Sequence, residues 1–220
     1  ALIFTFASFQ VFFANEIRPY SLFCLLTVLS MHSFAKLTIH NNSKHAIYLS
    51  IFNILLIYNH FLGFFVLLIQ LISILAIKEI RVKHFKFVAL GWLAVFLLYV
   101  PYLPIFLGRF MNSEGGVWLD KPSFIALYDN FWKFSNQPVN TVLFLLLLVL
   151  GAIFYFVRRS KMKLETQYKV VLIWFLIPFL LMFALSFKLP MFLDRYLVFL
   201  SVGYYLLIAI AIDRIGSKEW

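Results

Sequence analysis

The sequence predicts an all-α fold, a polytopic transmembrane helical bundle, and three features of the chain lead to this prediction. Of its 220 residues, 64% are hydrophobic and only 13% are charged, whereas a soluble domain is about 45–50% apolar and about 25% charged. The apolar residues fall into runs about as long as a bilayer is thick. These runs follow one another without a polar linker, so we expect one transmembrane domain over residues 1–220.

Seven apolar runs are candidates for membrane-spanning helices, because roughly 17–25 residues in helical form cross a hydrocarbon core about 30 Å thick. Residues 1–14 look like the last part of a further helix. Only Asn59 and His60 separate the second run from the third, which predicts a tight helical hairpin. The seven runs are 21–37, 46–58, 61–77, 87–106, 141–157, 170–187 and 195–212.

Charged residues between the runs fall into two alternating sets. One set of loops holds thirteen of the 19 basic residues and four acidic residues, a net charge of +9, and the other set has a net charge of +1. Because cytoplasmic loops carry the excess of Lys and Arg in membrane proteins, we expect the +9 side in the cytoplasm. The other side is then external or periplasmic, in an inner (plasma) membrane. The overall charge of +10 is therefore interpreted as an orientation signal and not as a nucleic-acid site.

The longest connection on the predicted outer side is an external loop of about residues 107–140. Its stretch Pro122 to Phe134 mixes apolar and charged residues, which predicts a helix lying in the membrane interface. The single cysteine, Cys24, lies in an apolar run and excludes a disulfide within the chain. Since the chain starts at Ala1 already inside an apolar run, we interpret it as the C-terminal portion of a longer chain.

Glu16-Ile17-Arg18-Pro19-Tyr20 is the most informative stretch of the sequence. Pro19 suits the first turn of a helix, where its missing N–H costs nothing, and it disfavours helical geometry at Arg18. We therefore expect Glu16 and Arg18 on a short extended segment before a helix whose N-terminus favours an anion such as phosphate. The alternative is an interfacial arginine that reaches toward water and pairs with Glu16.

Asp194-Arg195-Tyr196 repeats this pattern at the start of the last run. Its alternative interpretation is a positive and aromatic anchor at the membrane interface. His60 lies at the same predicted level and can gain or lose a proton near physiological pH. Alternatively, His60 is a structural residue of the turn, and Tyr58 and Asn59 either line the same cavity or cap that turn.

Convergence strengthens the functional interpretation of these residues. Glu16, Arg18, His60, Asp194 and Arg195 are far apart in sequence, yet the predicted topology puts all of them at one membrane surface. The cytoplasmic charges instead form Lys/Arg-rich runs that are typical of orientation signals.

Other motifs give little indication of chemistry. Asn53 and Gln70 lie inside apolar runs and are expected to form hydrogen bonds between helices. The sequence contains no Walker motif, glycine-rich nucleotide loop, HExxH motif or serine nucleophile elbow. A machine driven by nucleotide hydrolysis is therefore disfavoured.

The stretches Phe9 to Tyr20, Leu56 to Gly63 and Pro190 to Tyr196 carry a resemblance to a known family. They resemble, in order, an "EaRxY" segment that opens a transmembrane helix, a "lYtHylg" helix turn and a late "RY" helix start. These motifs belong to the C-type polytopic membrane glycosyltransferases, in particular the bacterial relatives of dolichyl-phosphate-mannose protein mannosyltransferases. The likeness spans most of the chain, with Asn59 where Thr is commoner in the family.

The resemblance implies a hexosyl- or pentosyltransferase of the bacterial cell envelope. It would move a sugar, with inversion, from a polyprenyl-phosphate donor to a lipid, glycan or protein acceptor at the outer membrane face. Arginines would stabilise the charge that develops on the leaving phosphate. In the family an acidic residue of the first outer loop acts as base or positions the acceptor. That loop would precede Ala1, so the catalytic carboxylate is not assigned and residues 1–220 alone are expected to be inactive.

The resemblance also implies the residues that contact substrate. Arg18 and Arg195 would bind the phosphate, Glu16 would orient Arg18 or contact the sugar, and His60 would hydrogen-bond substrate or shape the cavity. No protein ligands for a metal are predicted, and a divalent metal as cofactor is left open. The expected substrate-binding residues are Glu16, Arg18, Tyr20, Tyr58, His60, Asp194, Arg195 and Tyr196.

Two other classes of function are weighed against the transferase. A transporter or flippase of a lipid-linked anion could use the same outer arginines, although the inverted repeats common in transporters are not visible. A purely structural membrane subunit would not need charges clustered at one face. In each case the surrounding membrane lipid is a partner and nucleic acid is not.

Overall fold

The fold was described from a computed structural model, which covers residues 2–40, 42–111, 121–157, 166–189 and 191–216. Every regular element in these ranges is helical, which confirms the predicted all-α class. The α-helices are α1 (Leu2–Phe6), α2 (Ser8–Asn15), α3 (Tyr20–His40), α4 (Ser43–Asn59), α5 (Gly63–Ala76), α6 (Lys78–Tyr99), α7 (Leu103–Met111), α8 (Ile125–Ser135), α9 (Pro138–Val157), α10 (Thr166–Leu185) and α11 (Val198–Gly216).

Five stretches of helix in the described ranges are long and apolar enough to cross a membrane. They are Tyr20–His40, Phe85–Gly108, Pro138–Tyr155, Thr166–Leu185 and Val198–Gly216. Each of the seven predicted runs contains a helix, but α4 has 17 residues and α5 has 14. At 1.5 Å per residue α4 is about 26 Å long, at the lower limit for a membrane span, and α5 is about 21 Å long, short of a hydrocarbon core about 30 Å thick. The coarser prediction of a multi-pass membrane protein therefore holds for the described helices.

Several predicted boundaries differ from the structure. Residues 1–14, expected to end one helix, are divided at Ala7, whose extended backbone (φ −66°, ψ 118°) separates α1 from α2. The helix expected to begin at 87 already begins at Lys78. A 3-10 turn with Pro101 in its first positions separates α6 from α7, since proline cannot donate the hydrogen bond that would continue the helix.

The predicted outer loop contains α8 within the stretch Pro122 to Phe134. One face of α8 is buried in the protein, because Phe134 is 1% exposed and packs its ring against Phe9 and Tyr204. The sequence predicted a helix lying in the membrane interface. In the structure, α8 also packs against other helices through its buried face. Residues 112–120 of that loop, the basic run 158–165 and Pro190 lie outside the described residues.

The helices alternate in direction and give the bundle two ends. At the first, which we call the His60 end, His60 after α4 meets Tyr20 at the start of α3, and their ring centroids are 5.8 Å apart. At the opposite end, which we call the Arg214 end, the His40 and His45 rings are 5.9 Å apart. The Tyr196 ring, just before α11, lies 5.7 Å from that of His60, so the segments that precede α3, α5 and α11 meet at the His60 end.

A polar network lies between the two ends and joins four helices. The Ser30 hydroxyl donates to Asn53 Oδ1 (2.6 Å), and Asn53 Nδ2 donates to Gln70 Oε1 (2.9 Å). Gln70 Nε2 donates to Ser30 Oγ (2.9 Å), and Trp92 Nε1 donates to Gln70 Oε1 (3.3 Å). Ser30, Asn53 and Gln70 are fully buried. The expectation that Asn53 and Gln70 form hydrogen bonds between helices is confirmed.

Candidate functional site

The segment between α2 and α3 holds Glu16 and Arg18 just outside a helix N-terminus. Helix α2 ends at Asn15, and Glu16 has an extended backbone (φ −74°, ψ 133°). The Arg18 N–H donates to the Glu16 carbonyl at 2.8 Å, which folds the segment tightly. The Pro19 carbonyl accepts from the Phe23 N–H at 2.8 Å, so Pro19 makes the first bond of α3 with its carbonyl while its ring nitrogen donates none.

The turn between α4 and α5 is fixed against this segment. Asn59 Nδ2 donates to the Pro19 carbonyl at 3.3 Å, which ties the end of α4 to the beginning of α3. Gly63 allows the sharp reversal of the chain, because a Cβ at this position would lie 3.0 Å from backbone atoms of Leu56 and Ile57. The close approach of the two helices places His60 over the N-terminus of α3.

The third segment is a 3-10 turn, Asp194–Tyr196, directly before α11. The Arg195 guanidinium carbon lies 5.4 Å from the centroid of the Tyr196 ring, within the range of a cation–π contact. The Tyr196 ring lies 5.7 Å from that of His60 and 6.3 Å from that of Tyr20. The stacked arginine is thereby held beside the other two segments.

Side chains from the three segments meet in one group of rings, which we call the aromatic cluster. His60 contacts four of its members, with ring centroids between 4.5 and 5.8 Å away. Tyr20 is 5% exposed, so one wall of the cluster is buried. The cluster consists of Tyr20, Phe23, His60, Phe61 and Tyr196.

His60 is neutral at physiological pH in this environment. Burial lowers the pKa of its imidazole from 6.5 to about 4, because a charged ring is disfavoured away from water. Its Nδ1 accepts a hydrogen bond from the Leu62 N–H at 3.2 Å. A neutral imidazole that accepts at Nδ1 carries its proton on Nε2, so His60 has an N–H left to donate.

Two polar atoms near the cluster are buried and have no hydrogen-bond partner among the described residues, namely Glu16 Oε2 and Arg195 Nε. Such atoms cost roughly 1–3 kcal/mol each when nothing satisfies them. Arg18 is exposed, and within the described ranges neither Arg18 nor Arg195 forms an ion pair. An anion placed at this end would find guanidinium groups that are not already neutralised.

Asp194 and Tyr58, also predicted at the site, have other partners. Both carboxylate oxygens of Asp194 accept from Lys133 Nζ at 2.8 Å, so Asp194 does not neutralise Arg195. The Tyr58 hydroxyl donates to the Leu98 carbonyl at 2.6 Å, and its ring packs on Tyr99. The structure therefore packs Tyr20 and His60 against the Tyr196 ring, on which Arg195 lies, and directs Tyr58 toward α6.

Sequence reasoning missed the contribution of α8 to this end of the bundle. Lys133 supplies the partner of Asp194. Asn136 takes a left-handed backbone (φ 69°) after α8, and its Oδ1 accepts from both Ser8 N and Ser8 Oγ at 2.8 Å. An asparagine that ends a helix is a recognisable C-terminal signal, but the sequence does not reveal that it joins α8 to α2.

Among the described residues, no group of three or more His, Cys, Asp or Glu side chains is arranged to hold a metal ion. The described cations near the aromatic cluster are the guanidinium groups of Arg18 and Arg195. Comparison of the chain with protein-family models, with curated proteins and with solved structures finds no match.

Proposed function

We propose that this chain is the membrane-embedded part of a glycosyltransferase that moves a sugar from a polyprenyl-phosphate donor to an acceptor hydroxyl. The observation that carries the proposal is the meeting of three distant segments around Arg195. This arginine lies over the ring of Tyr196 and has an unpartnered buried Nε, and the Tyr196 ring contacts that of a neutral His60 with an N–H to donate. The motif resemblance of the same three segments supplies the reaction class.

The chemistry requires a cation where the leaving group forms. The acceptor oxygen bonds to the anomeric carbon of the sugar on the face opposite the phosphate. The bond from that carbon to the phosphate oxygen breaks with its electron pair on the oxygen, and the acceptor proton passes to a base. Arg195 and Arg18 stabilise the charge that grows on the phosphate. His60 donates a hydrogen bond from Nε2 to the polyprenyl-phosphate sugar.

The proposal includes an orientation. The described part of the Arg214 end carries the lysine-rich starts of α4 and α6, whereas the His60 end carries the carboxylates of Glu16, Asp129 and Asp194. By the positive-inside rule, the Arg214 end is cytoplasmic and the His60 end faces the outside of an inner membrane. The two short helices α4 and α5 form a hairpin that brings His60 to that outer surface.

Transfer of labelled sugar from a polyprenyl-phosphate donor, measured in membranes with the full-length protein, tests the function. Arg195→Ala is expected to lower turnover about 10²–10³-fold, the size of effect seen when one donor to a developing oxyanion is removed. Arg195→Lys should recover only part of it, since an ammonium group lacks the planar fork of the guanidinium. Lys188→Ala, an exposed cation of the same end, is the matched control and should keep full turnover.

Wild-type turnover in Arg195→Ala and in Arg18→Ala, with normal expression of both variants, would contradict the proposal. Binding of the polyprenyl-phosphate sugar without transfer of the sugar to any acceptor tested would favour a transporter or flippase of the same lipid-linked anion.

A further inference from the structure

A cavity of about 690 Å³ lies beside the aromatic cluster, between α2, α8 and the turn that contains Asp194. This volume is within the range of about 300–1,000 Å³ typical of small-molecule sites. Phe12 and Phe13 form an apolar wall, and Trp132 lies across from them on α8. Trp132 is 44% exposed and Phe12 is 61% exposed, so both rings offer free apolar surface.

The charges in the cavity argue against a second phosphate site. Lys133 is the cation of the cavity lining, and both oxygens of Asp194 already neutralise it at 2.8 Å. Asp129 also lines the cavity and forms no ion pair within the described ranges. The lining therefore carries a net charge of −1, which disfavours an anion and leaves a carboxylate free to accept hydrogen bonds.

The remaining polar groups suit a neutral, hydroxyl-rich ligand. Asn136 uses its Oδ1 for Ser8, which leaves the two hydrogens of its amide to donate. Asp129 accepts only, so the pair offers both kinds of partner to sugar hydroxyls. The indole face of Trp132 gives the flat apolar surface on which the C–H face of a pyranose stacks, and the exposed ring of Phe12 suits an alkyl chain.

We propose that this cavity binds the sugar of a neutral lipid-linked glycan, with the ring on Trp132, the hydroxyls on Asp129 and Asn136, and the apolar tail along Phe12. The cavity adjoins the proposed phosphate site in two ways: Asp194 of its lining directly precedes Arg195 in the chain, and the Phe13 ring lies 6.0 Å from that of Tyr20 in the aromatic cluster. A glycan held here lies next to the proposed donor phosphate, which makes it the acceptor. The acceptor role rests on the proposed transferase function, whereas glycoside binding in the cavity does not.

Photocrosslinking with a diazirine-tagged octyl β-glucoside tests the site, using the chain in phosphatidylcholine nanodiscs. We expect the label on peptides from 8–15 and 125–136, with competition by untagged octyl β-glucoside. Trp132→Ala should weaken this capture roughly tenfold, as expected for the loss of about 1.4 kcal/mol. Tyr128→Ala is the matched control, because Tyr128 lies one turn away on α8, is also 44% exposed and does not line the cavity.

Further variants keep the result interpretable. Trp132→Phe retains a ring and should capture more glycoside than Trp132→Ala, even if the alanine variant folds poorly. Asp129→Asn should weaken capture, while Arg195→Ala should leave it unchanged, so failure of this site and failure of the phosphate site are distinguishable. Label spread evenly over the exposed helices, or equal capture by the Trp132→Ala and Tyr128→Ala variants, would overturn the inference. Preferential capture of a tagged octylamine over the glucoside would do the same.

Discussion

The two ends of the bundle each carry an arginine held over a tyrosine ring, and they differ in what surrounds that pair. At the His60 end the Arg195 guanidinium carbon lies 5.4 Å from the Tyr196 centroid, and at the other end that of Arg214 lies 4.7 Å from Tyr168. Tyr196 belongs to a cluster built from three distant segments. Tyr168 belongs to α10, in the lysine-rich part of the described structure. The local pair is the same, so the pair alone does not indicate function.

The difference lies in which groups the fold brings to each arginine. The Tyr196 ring beside Arg195 contacts the neutral His60, and the neighbouring cavity has its own carboxylates. At the Arg214 end the basic residues, for example Lys36, Lys44 and Lys169, outnumber the acidic ones, which suits contact with anionic headgroups. Under the proposed function, the His60 end binds the phosphate of the sugar donor and the Arg214 end orients the protein in the membrane.

The largest expected effect concerns the opposite exposure of the two ends. In a Cys24→Ser background, Ser123→Cys near the start of α8 should be fully labelled from outside intact cells by a membrane-impermeant thiol reagent. Ser43→Cys, an exposed serine at the start of α4, should be labelled only after the membrane is opened. The reverse labelling pattern would place the +9 side outside and would contradict the proposed orientation.

The next largest effect concerns the buried polar network at Gln70, which we expect to stabilise the fold and not to bind a ligand. Gln70→Leu keeps the volume but removes the acceptor of Asn53 Nδ2 and Trp92 Nε1, and should lower the free energy of unfolding by about 1–3 kcal/mol. Gln70→Ala adds a cavity and should cost about 2–4 kcal/mol. Thermal unfolding of the purified protein measures both variants.

Gln137→Ala serves as the control for this series, because Gln137 is exposed and its replacement should change stability by less than about 0.5 kcal/mol. If the Gln70 variants were as stable as this control, the network would not hold the four helices together.

The smallest effect is a pH dependence from His60. Since burial lowers its pKa from 6.5 to about 4, the unfolded chain binds more protons than the folded chain between these pH values. Stability should therefore fall as the pH is lowered through this window. His60→Gln should lose this component of the pH dependence, whereas His32→Gln, at an exposed histidine of α3, should keep it. Equal slopes in all three proteins would show that the ring is solvated.

Particular residues show how far the sequence predicts this molecule. The length and apolar content of the runs predict the helices, because helix formation in a membrane depends on residues close in sequence. Five of the described helical stretches are long and apolar enough to span a membrane, so the count of about seven stays a prediction. Pro19 and Arg18 were placed before α3 as expected, since proline acts locally.

Contacts between distant segments were less accessible from the sequence. The pairing of Lys133 with Asp194 joins residues 61 positions apart, and no local pattern indicates it. Tyr58 and His60 belong to the same motif, but Tyr58 lies on α4, whereas His60 follows the end of that helix with an extended backbone. The Tyr58 hydroxyl donates to the Leu98 carbonyl on α6. The cavity at Trp132 arises because α8 packs on α2. A helix expected to lie on the lipid surface gives no indication of this packing.

Binding of a radiolabelled polyprenyl phosphate to the purified chain in nanodiscs, compared between Arg195→Ala and Arg214→Ala, tests the central claim most directly. Each variant removes one arginine from one tyrosine ring, so general losses of charge and packing are matched. The account predicts at least a tenfold loss of affinity, about 1.4 kcal/mol, for Arg195→Ala and wild-type affinity for Arg214→Ala. Equal affinities in the two variants would contradict the claim that the His60 end is the phosphate-binding end.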